Sequence, residues 1–176
     1  MLEPGFNPLS VVVRSFRDDD LRACRVLYRE GLLAGRLAEN DTGYDIDDIH
    51  SAYMHSDGDH FWVAVDPSNQ IVGMIGVQQH EVGQAEIRRL RVRVDVRRRG
   101  VGSSLVETAV RFCNDHGCLK VALDTFVDRE PAIKLFEKFH FRFARTKKFG
   151  EKELLYFYLD LYEGSDDRRS TKSGSK

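Results

Sequence analysis

Only three cysteines, four prolines and one tryptophan occur among the 176 residues. The cysteines (Cys24, Cys113 and Cys118) are odd in number and include no CxxC pair, so they read as buried apolar thiols in a reducing compartment. No charge of one sign dominates: 27 Lys+Arg stand against 28 Asp+Glu, which excludes a globally basic protein drawn to nucleic acid by net charge. Apolar runs extend over only a few residues, so none reads as a membrane span. The opening stretch MLEPGFNPLSVVV has neither a basic n-region nor an apolar h-region, and no secretory signal is read from it. The expected location is therefore cytoplasmic. The six histidines (His50, His55, His60, His80, His116 and His140) show no HxxxH or HExxH spacing, and no metal site is expected.

What is present suits a packed domain. Hydrophobic residues make up 41% of the chain and charged residues 31%, a balance that excludes a disordered chain. The length fits one domain over residues 1–162. The end of the chain, EGSDDRRSTKSGSK over 163–176, has no apolar anchor and is expected to be a disordered tail.

Period and punctuation give the elements. Ser10 to Phe16 reads as a strand, and Asp18 then offers a carboxylate to the free N–H groups of a helix over 18–34, which Gly35 stops. Leu21, Cys24, Leu27, Tyr28 and Leu32 share a face of that helix. Asp41-Thr42-Gly43 marks a turn, and residues 45–55 suit a second, short helix. Phe61–Val65 and Ile71–Val77 form a hairpin around Pro67-Ser68-Asn69. A fourth strand over 85–94 is expected to alternate Ile87, Arg89, Arg91 and Arg93 against Glu86, Arg88, Leu90, Val92 and Val94. Residues 101–116 make the clearest helix, capped by Gly117. Leu119 to Thr125 reads as a buried strand, and a helix follows from Pro131. Residues 141–149 and 153–161 are closing strands around Gly150. The order β-α-α-β-β-β-α-β-α-β-β is mixed α/β with one parallel crossover.

The segment LRVRVDVRRRGVGSSLVETAV, residues 90–110, carries the chemistry. A strand enters Arg97-Arg98-Arg99-Gly100-Val101-Gly102-Ser103 and a helix begins there. Two glycines let backbone N–H groups approach an anion, and the N–H groups of residues 99–103 are the unpaired donors of the helix's first turn. This is an anion site suited to a pyrophosphate. The GxxxxGK[ST] loop is excluded because no Lys follows Gly102, and GxGxxG fails at Leu105. The pattern [QR]xxGxG/A is satisfied by Arg97, Gly100 and Gly102.

With this motif between a strand and a helix, the chain resembles the GNAT superfamily of N-acetyltransferases over roughly residues 10–161. FWVAV, IVGMIGV, AEIRRLRV and VALDT look like its camello-type branch, whose better-known members acetylate small amines such as cysteine conjugates or aspartate. The resemblance implies a mixed, mostly antiparallel sheet whose parallel fourth and fifth strands splay around acetyl-CoA. It implies that Leu90, Arg91 and Val92 pair with the pantetheine arm beside a bulge. Val92 N–H would bond the thioester carbonyl, and Arg97, Arg98, Arg99, Gly100, Val101, Gly102 and Ser103 would hold the pyrophosphate. Glu86, eleven residues before Arg97, matches the general-base glutamate of histone-acetylating members; an ion pair with Arg88 is the alternative. Arg88, Arg89 and Arg93 stay unassigned between attraction of an acidic substrate and a salt-bridged sheet surface. Tyr28, Glu30, Tyr44 and Tyr53 are acceptor-pocket candidates.

The family's last motif, roughly NxxAxxLYxxxGF, is altered here: Arg129 stands for the Asn, Phe136 for the Tyr and His140 for the Gly. Arg129 is expected either to pair with a cofactor phosphate or to lie on the surface. Phe136 matters most, because that Tyr commonly protonates the departing thiolate and a phenylalanine cannot. The thiolate leaves unaided, with its thiol pKa near about 8.5, or Tyr156 or Tyr158 stands in, or the protein binds acyl-CoA and catalyses poorly. Trp62 reads as core. Cys113 and His116, three residues apart, share one helical face and could meet, and Cys113 and Cys118 are both read as core. The expected function is acetyl-CoA-dependent N-acetyl transfer to a primary amine, by a monomer or homodimer with no nucleic-acid or membrane partner. The rivals are an acyl-CoA-binding regulatory module and an RNA-binding protein using the arginine strand.

Overall fold

The computed structural model describes residues 7–30 and 41–162. Seven strands, β1 (Val12–Ser15), β2 (His60–Val65), β3 (Ile71–Glu81), β4 (Gln84–Val92), β5 (Lys120–Phe126), β6 (Arg142–Phe149) and β7 (Lys152–Asp160), form one sheet. Their order is β1-β2-β3-β4-β5-β7-β6, and only β4 and β5 run parallel. The helices are α1 (Leu21–Glu30), α2 (Tyr44–Asp47), α3 (Ile49–Tyr53), α4 (Val101–Asp115) and α5 (Glu130–Lys138). The expected short second helix is thus two pieces, broken at Asp48, whose side chain accepts from Ser51 N–H at 3.0 Å and starts the second piece. Leu32, Gly35 and the 163–176 tail lie outside the described residues.

Two apolar layers hold the sheet. On one face Leu105, Val106, Ala109 and Cys113 of α4, with Phe136 of α5, pack against Ile75, Val77, Ile87, Val121 and Leu123. On the other, Cys24, Leu27 and Tyr28 of α1 and Ile46, Ile49 and Tyr53 pack against Phe61, Val63 and Met74. Alternation along β2 splits its residues between these layers, so Trp62 and Ala64 join the first and Phe61 and Val63 the second. Trp62 is core, as expected, with its ring 5.0 Å from Phe112.

The start of α1 departs from the expectation. Asp18 is exposed; the carboxylate that caps the chain entry is Asp20, which accepts from Arg17 N–H at 2.8 Å and from both terminal nitrogens of Arg14 at 2.7 and 2.9 Å. A short 3-10 turn over Asp18–Asp20 moves the cap two residues on. Cys24 and Cys113 are buried, and desolvation pushes each thiol up to about 12, so neither is a nucleophile. His116 does not meet Cys113: it stacks on Phe112 at 3.9 Å instead.

Candidate active site

The site is built where β4 and β5 part. Their parallel register covers only Gln84 to Glu86 against Lys120 to Ala122. Beyond Glu86 the two strands separate, and a cavity of about 250 Å3 opens between them. The cause lies on the other edge of β4. Against β3 the register runs Gly76↔Arg88 and then Met74↔Arg91, so β4 carries one extra residue across this step. Arg89 sits there in the left-handed region, with φ +59. That is a β-bulge, which bends the strand and increases its twist.

The bulge corrects the expected alternation. A one-residue slip moves the following side chains to the opposite face. Ile87 therefore shares the α4/α5 face with Leu90 and Val92, while Arg89 and Arg91 join Glu86 and Arg88 on the α1/α2 side. Strict alternation would have driven Arg89 and Arg91 into the layer that holds Ile87. The slip keeps every apolar residue of β4 in the core.

A left-handed non-glycine costs of order 1–3 kcal/mol unless its surroundings hold it. Here they do. Arg89 donates to Asp41 at 2.7 and 2.9 Å and to Asp45 at 2.6 and 2.8 Å. Its guanidinium lies 5.2 Å from the Tyr28 ring centroid, and Tyr53 donates its hydroxyl to Asp45 at 2.6 Å. Burial by itself would raise both carboxyls, but the hydrogen bonds and charge of Arg89, joined by the Gly43 N–H at Asp41 and the Tyr53 hydroxyl at Asp45, together hold each below its ordinary value. Asp41 also accepts from Gly43 N–H at 3.2 Å. This network pins α1 and α2 to the bulge. Of the pocket candidates, Tyr53 and Tyr28 are thus structural, Tyr44 is 76% exposed, and Glu30 lies at the exposed end of α1; none lines the cavity.

The walls of the slot mix charge and aromatic surface. Phe136 closes one side, packed against Phe141 and Phe157. Arg91 and Arg129 reach in from β4 and from the start of α5. Burial, with Arg129 and Arg89 close by, pulls the Arg91 guanidinium down to about 10. One of its terminal nitrogens donates to Leu90 O at 2.9 Å, while Nε is buried with no partner among the described residues. Two carboxylates, Glu86 and Asp124, stand at the end where the strands are still paired. Tyr156 and Tyr158 do not line the slot; they carry Arg145 and Lys120 over their rings at 4.3 and 5.2 Å.

The exposed edge of β4 leads from the slot to the helix start. Arg93 N–H donates to Val72 O at 2.8 Å, so antiparallel alternation turns the Val92 N–H away from β3 and toward the gap. Val92 O accepts from Arg97 Nε at 3.1 Å. The turn then passes through Arg98 and Gly100 at φ +59 and +85. No side chain caps α4, whose first turn contains no acidic residue, and the first bond of the helix is Ser104 N–H to Gly100 O at 3.1 Å. The N–H groups of Val101, Gly102 and Ser103 therefore point out of the helix start. Gly102 has a packing reason as well: a Cβ there would stand 3.0 Å from Leu135 Cδ2. Arg99 is committed elsewhere, its Nε donating to Asn7 O at 3.2 Å. Lys138, from the end of α5, reaches Ser103 Oγ at 3.4 Å and adds a cation.

Residues 21–141 match the model of the Acetyltransferase (GNAT) family. The chain belongs to that family. Within it, the probable N-acetyltransferase camello of Xenopus laevis is 33% identical over 100 residues, 56% of this chain and 45% of that protein. The N-acetyltransferase 8 of Homo sapiens is 31% identical over 103 residues, again 56% of this chain and 45% of the relative. The chain spans about half the length of the curated relatives it matches. Among solved structures, a GNAT-family acetyltransferase of Staphylococcus aureus Mu50 superposes with a TM-score of 0.74 at 17% identity, covering 86% of this chain and 99% of that one. An acetyltransferase of Streptococcus agalactiae gives 0.73 at 17% identity, covering 86% and 98%. These likenesses bear out the GNAT fold, and the short register of β4 on β5 agrees with the expected splayed parallel pair.

In this GNAT domain the expected site residues fall in two groups. Glu86, Leu90, Arg91 and Arg129 line the slot, and Val92 with Arg97 to Ser103 forms the rim leading away from it. Asp124, Asp41 and Lys138 were not foreseen. For Asp124 the signal was present: Lys120, Ala122 and Asp124 alternate with Val121, Leu123 and Thr125, so β5 is buried on one face only.

Proposed function

We propose that this GNAT domain transfers an acetyl group from acetyl-CoA to a primary amine. The observation that carries the reading is the early parting of β4 and β5 at the Arg89 bulge, which leaves the β4 edge open beside a slot. The residues present suit the cosubstrate. The Val101, Gly102 and Ser103 N–H groups, with Arg97, Arg98 and Lys138 nearby, suit its pyrophosphate. The open edge at Leu90 to Val92 suits an extended pantetheine arm, and the enclosed volume accepts the acyl end rather than the nucleotide. Acetyl-CoA supplies a thioester, an activated acyl group whose carbonyl gathers negative charge as the amine attacks.

The chain's own residues then have three tasks. Val92 N–H stabilises the developing charge on oxygen, and one such donor is worth about 3 kcal/mol of barrier. A carboxylate at the end of the slot where the strands part, Glu86 or Asp124, takes the proton that an ammonium must lose before it attacks. Phe136 keeps the slot wall apolar and donates nothing, so the thiolate leaves unaided, which a thiol pKa near about 8.5 permits. A second reading, an acyl-CoA-binding module with little turnover, is favoured by that same phenylalanine.

The test is incubation with acetyl-CoA and a panel of alkylamines, amino acids and lysine peptides, followed by thiol release and product mass. Release of thiol matched by addition of one acetyl group to an amine supports transfer. Tight cofactor binding without any acetylated amine supports the second reading.

A further inference from the structure

We propose that Asp124, on β5, is the group that accepts the acceptor's proton, with Glu86 of the neighbouring β4 beside it as a second charge. This rests on the acetyl-transfer reading above. In the parallel register Glu86 lies beside Ala122, the last residue of β5 that pairs with β4. Asp124 is the next residue on the same face, the first carboxylate beyond the point where the strands part, and it lines the slot. It accepts no hydrogen bond and forms no ion pair among the described residues, so both oxygens are available. Glu86 is engaged: His80 Nε2 donates to its Oε2 at 2.7 Å, and Arg88 Nε lies 4.0 Å from its Oε1. Glu86 thus has one oxygen bonded to His80 and the other beside the Arg88 guanidinium, whereas neither oxygen of Asp124 is shared with another side chain among the described residues.

The surroundings suit that task. Asp124 is exposed to solvent at the open slot, and the partial desolvation there, followed by the charge of Glu86, holds its carboxyl above its ordinary value. The other groups facing it are Arg88 and Arg89 on β4, which oppose the shift, and Asp41 before α2, which adds to it. From β7 its cross-strand partner is Tyr156, beneath Arg145 of β6 at 4.3 Å, and Lys152 lies further along, over the Phe126 ring at 5.6 Å. Arg91 and Arg129 complete the walls.

The step balances as follows. The acceptor ammonium gives one proton to an Asp124 oxygen, and its freed lone pair forms the C–N bond to the acyl carbon. The C–S bond breaks with its electron pair on sulfur, and a second nitrogen proton ends on that sulfur. The products are amide and free thiol, and the proton on Asp124 returns to water through the open slot.

The experiment compares pH–rate profiles of kcat/KM for wild type, Asp124→Asn, Asp124→Glu and Glu86→Gln, using acetyl-CoA and the best amine of the panel. Asp124→Asn is expected to lower the rate about 10²–10⁴-fold and to remove the acidic limb. Asp124→Glu restores that limb, and the dissociation constant for CoA stays within about threefold in all variants. Glu86→Gln retains the acidic limb but moves it to lower pH by about one unit or less, because a like charge beside Asp124 is gone. Thermal melts of each variant separate misfolding from chemistry, and Asp124→Glu keeps the test open where the Asn variant unfolds. If Asp124→Asn retains the limb while Glu86→Gln loses it, Glu86 is the base and the proposal is overturned, with acetyl transfer intact. If wild type acetylates no amine, the transfer reading falls and the role of Asp124 with it.

Discussion

Replacing Arg89 by Met should cost far more stability than a surface arginine, and the loss should shrink as the solution is acidified. The Arg89 side chain is 9% exposed, and it is the cation shared by Asp41 and Asp45, which are 26% and 13% exposed. Met fills similar volume but leaves two enclosed carboxylates without a counter-charge. Breaking a buried pair from one side costs about 3–5 kcal/mol, and the partial exposure of Asp41 favours the lower end. At about 2–4 °C per kcal/mol for a chain of this size, a loss of about 3 kcal/mol lowers Tm by roughly 6–12 °C at pH 7. The pH dependence follows from the sign of each shift. In the native chain Arg89 holds both carboxyls below their ordinary value, so their stabilisation is full above about pH 4 and is lost as pH falls through the folded values. In the Met variant burial loses its main opponent and both carboxyls rise, so acid neutralises them more readily in the folded state and relieves the penalty. Melting both proteins by circular dichroism from pH 7 to pH 4 measures the difference. A loss under about 1 kcal/mol, the range of surface pairs, or one independent of pH, refutes a network that pins the bulge.

Other perturbations address the loop, the wall and the far end of the sheet. Gly100→Glu should abolish CoA binding measured by calorimetry, whereas Gly100→Ala, which carries the φ +85 strain of about 1–2 kcal/mol but no charge, should retain it; equal behaviour of the two removes the anion site. Phe136→Tyr should preserve or raise turnover, since its ring already faces the slot; a fall beyond about tenfold, 1.4 kcal/mol of barrier, contradicts the reading that an added hydroxyl is tolerated there. His60, held below its ordinary value by burial and then by His116, binds protons better when the chain is unfolded. Its contribution to stability is therefore full above about pH 6.5 and is lost on acidification below it. His60→Gln should flatten the dependence of Tm between pH 7.5 and 5.5, and an unchanged slope contradicts it.

Local signals were legible and long-range ones were not. The start and stop of α4 could be read from Gly100 and Gly117, and both glycines take positive φ, +85 and +71, in the structure. The closing hairpin could be read from Gly150, also at positive φ. The splayed pair came only through family resemblance, because its cause is one arginine in a conformation that arginine rarely adopts. The charges that hold Arg89 are 48 and 44 residues away, at Asp41 and Asp45. No period in the strand itself announces such partners, and simple alternation put Arg89, Arg91 and Arg93 on one face with Ile87. Asp124 was missed for a different reason: Val121, Leu123 and Thr125 dominate their strand, and the polar alternation between them was read as part of a buried run. The loop arginines divide in the structure by what they touch, with Arg97 on Val92 O and Arg99 on Asn7 O, a distinction that three adjacent identical residues do not carry in sequence.

Melting the chain with and without acetyl-CoA, beside an equal concentration of adenosine diphosphate, tests the central claim most directly. With a dissociation constant of about 10 μM, cofactor at about 1 mM adds about 2.7 kcal/mol, which for a chain of this size is roughly 5–10 °C. The account predicts a shift of this order with acetyl-CoA and little with the nucleotide, because the open β4 edge and slot take the pantetheine arm that the nucleotide lacks. No shift with acetyl-CoA, or an equal shift with both, would contradict it.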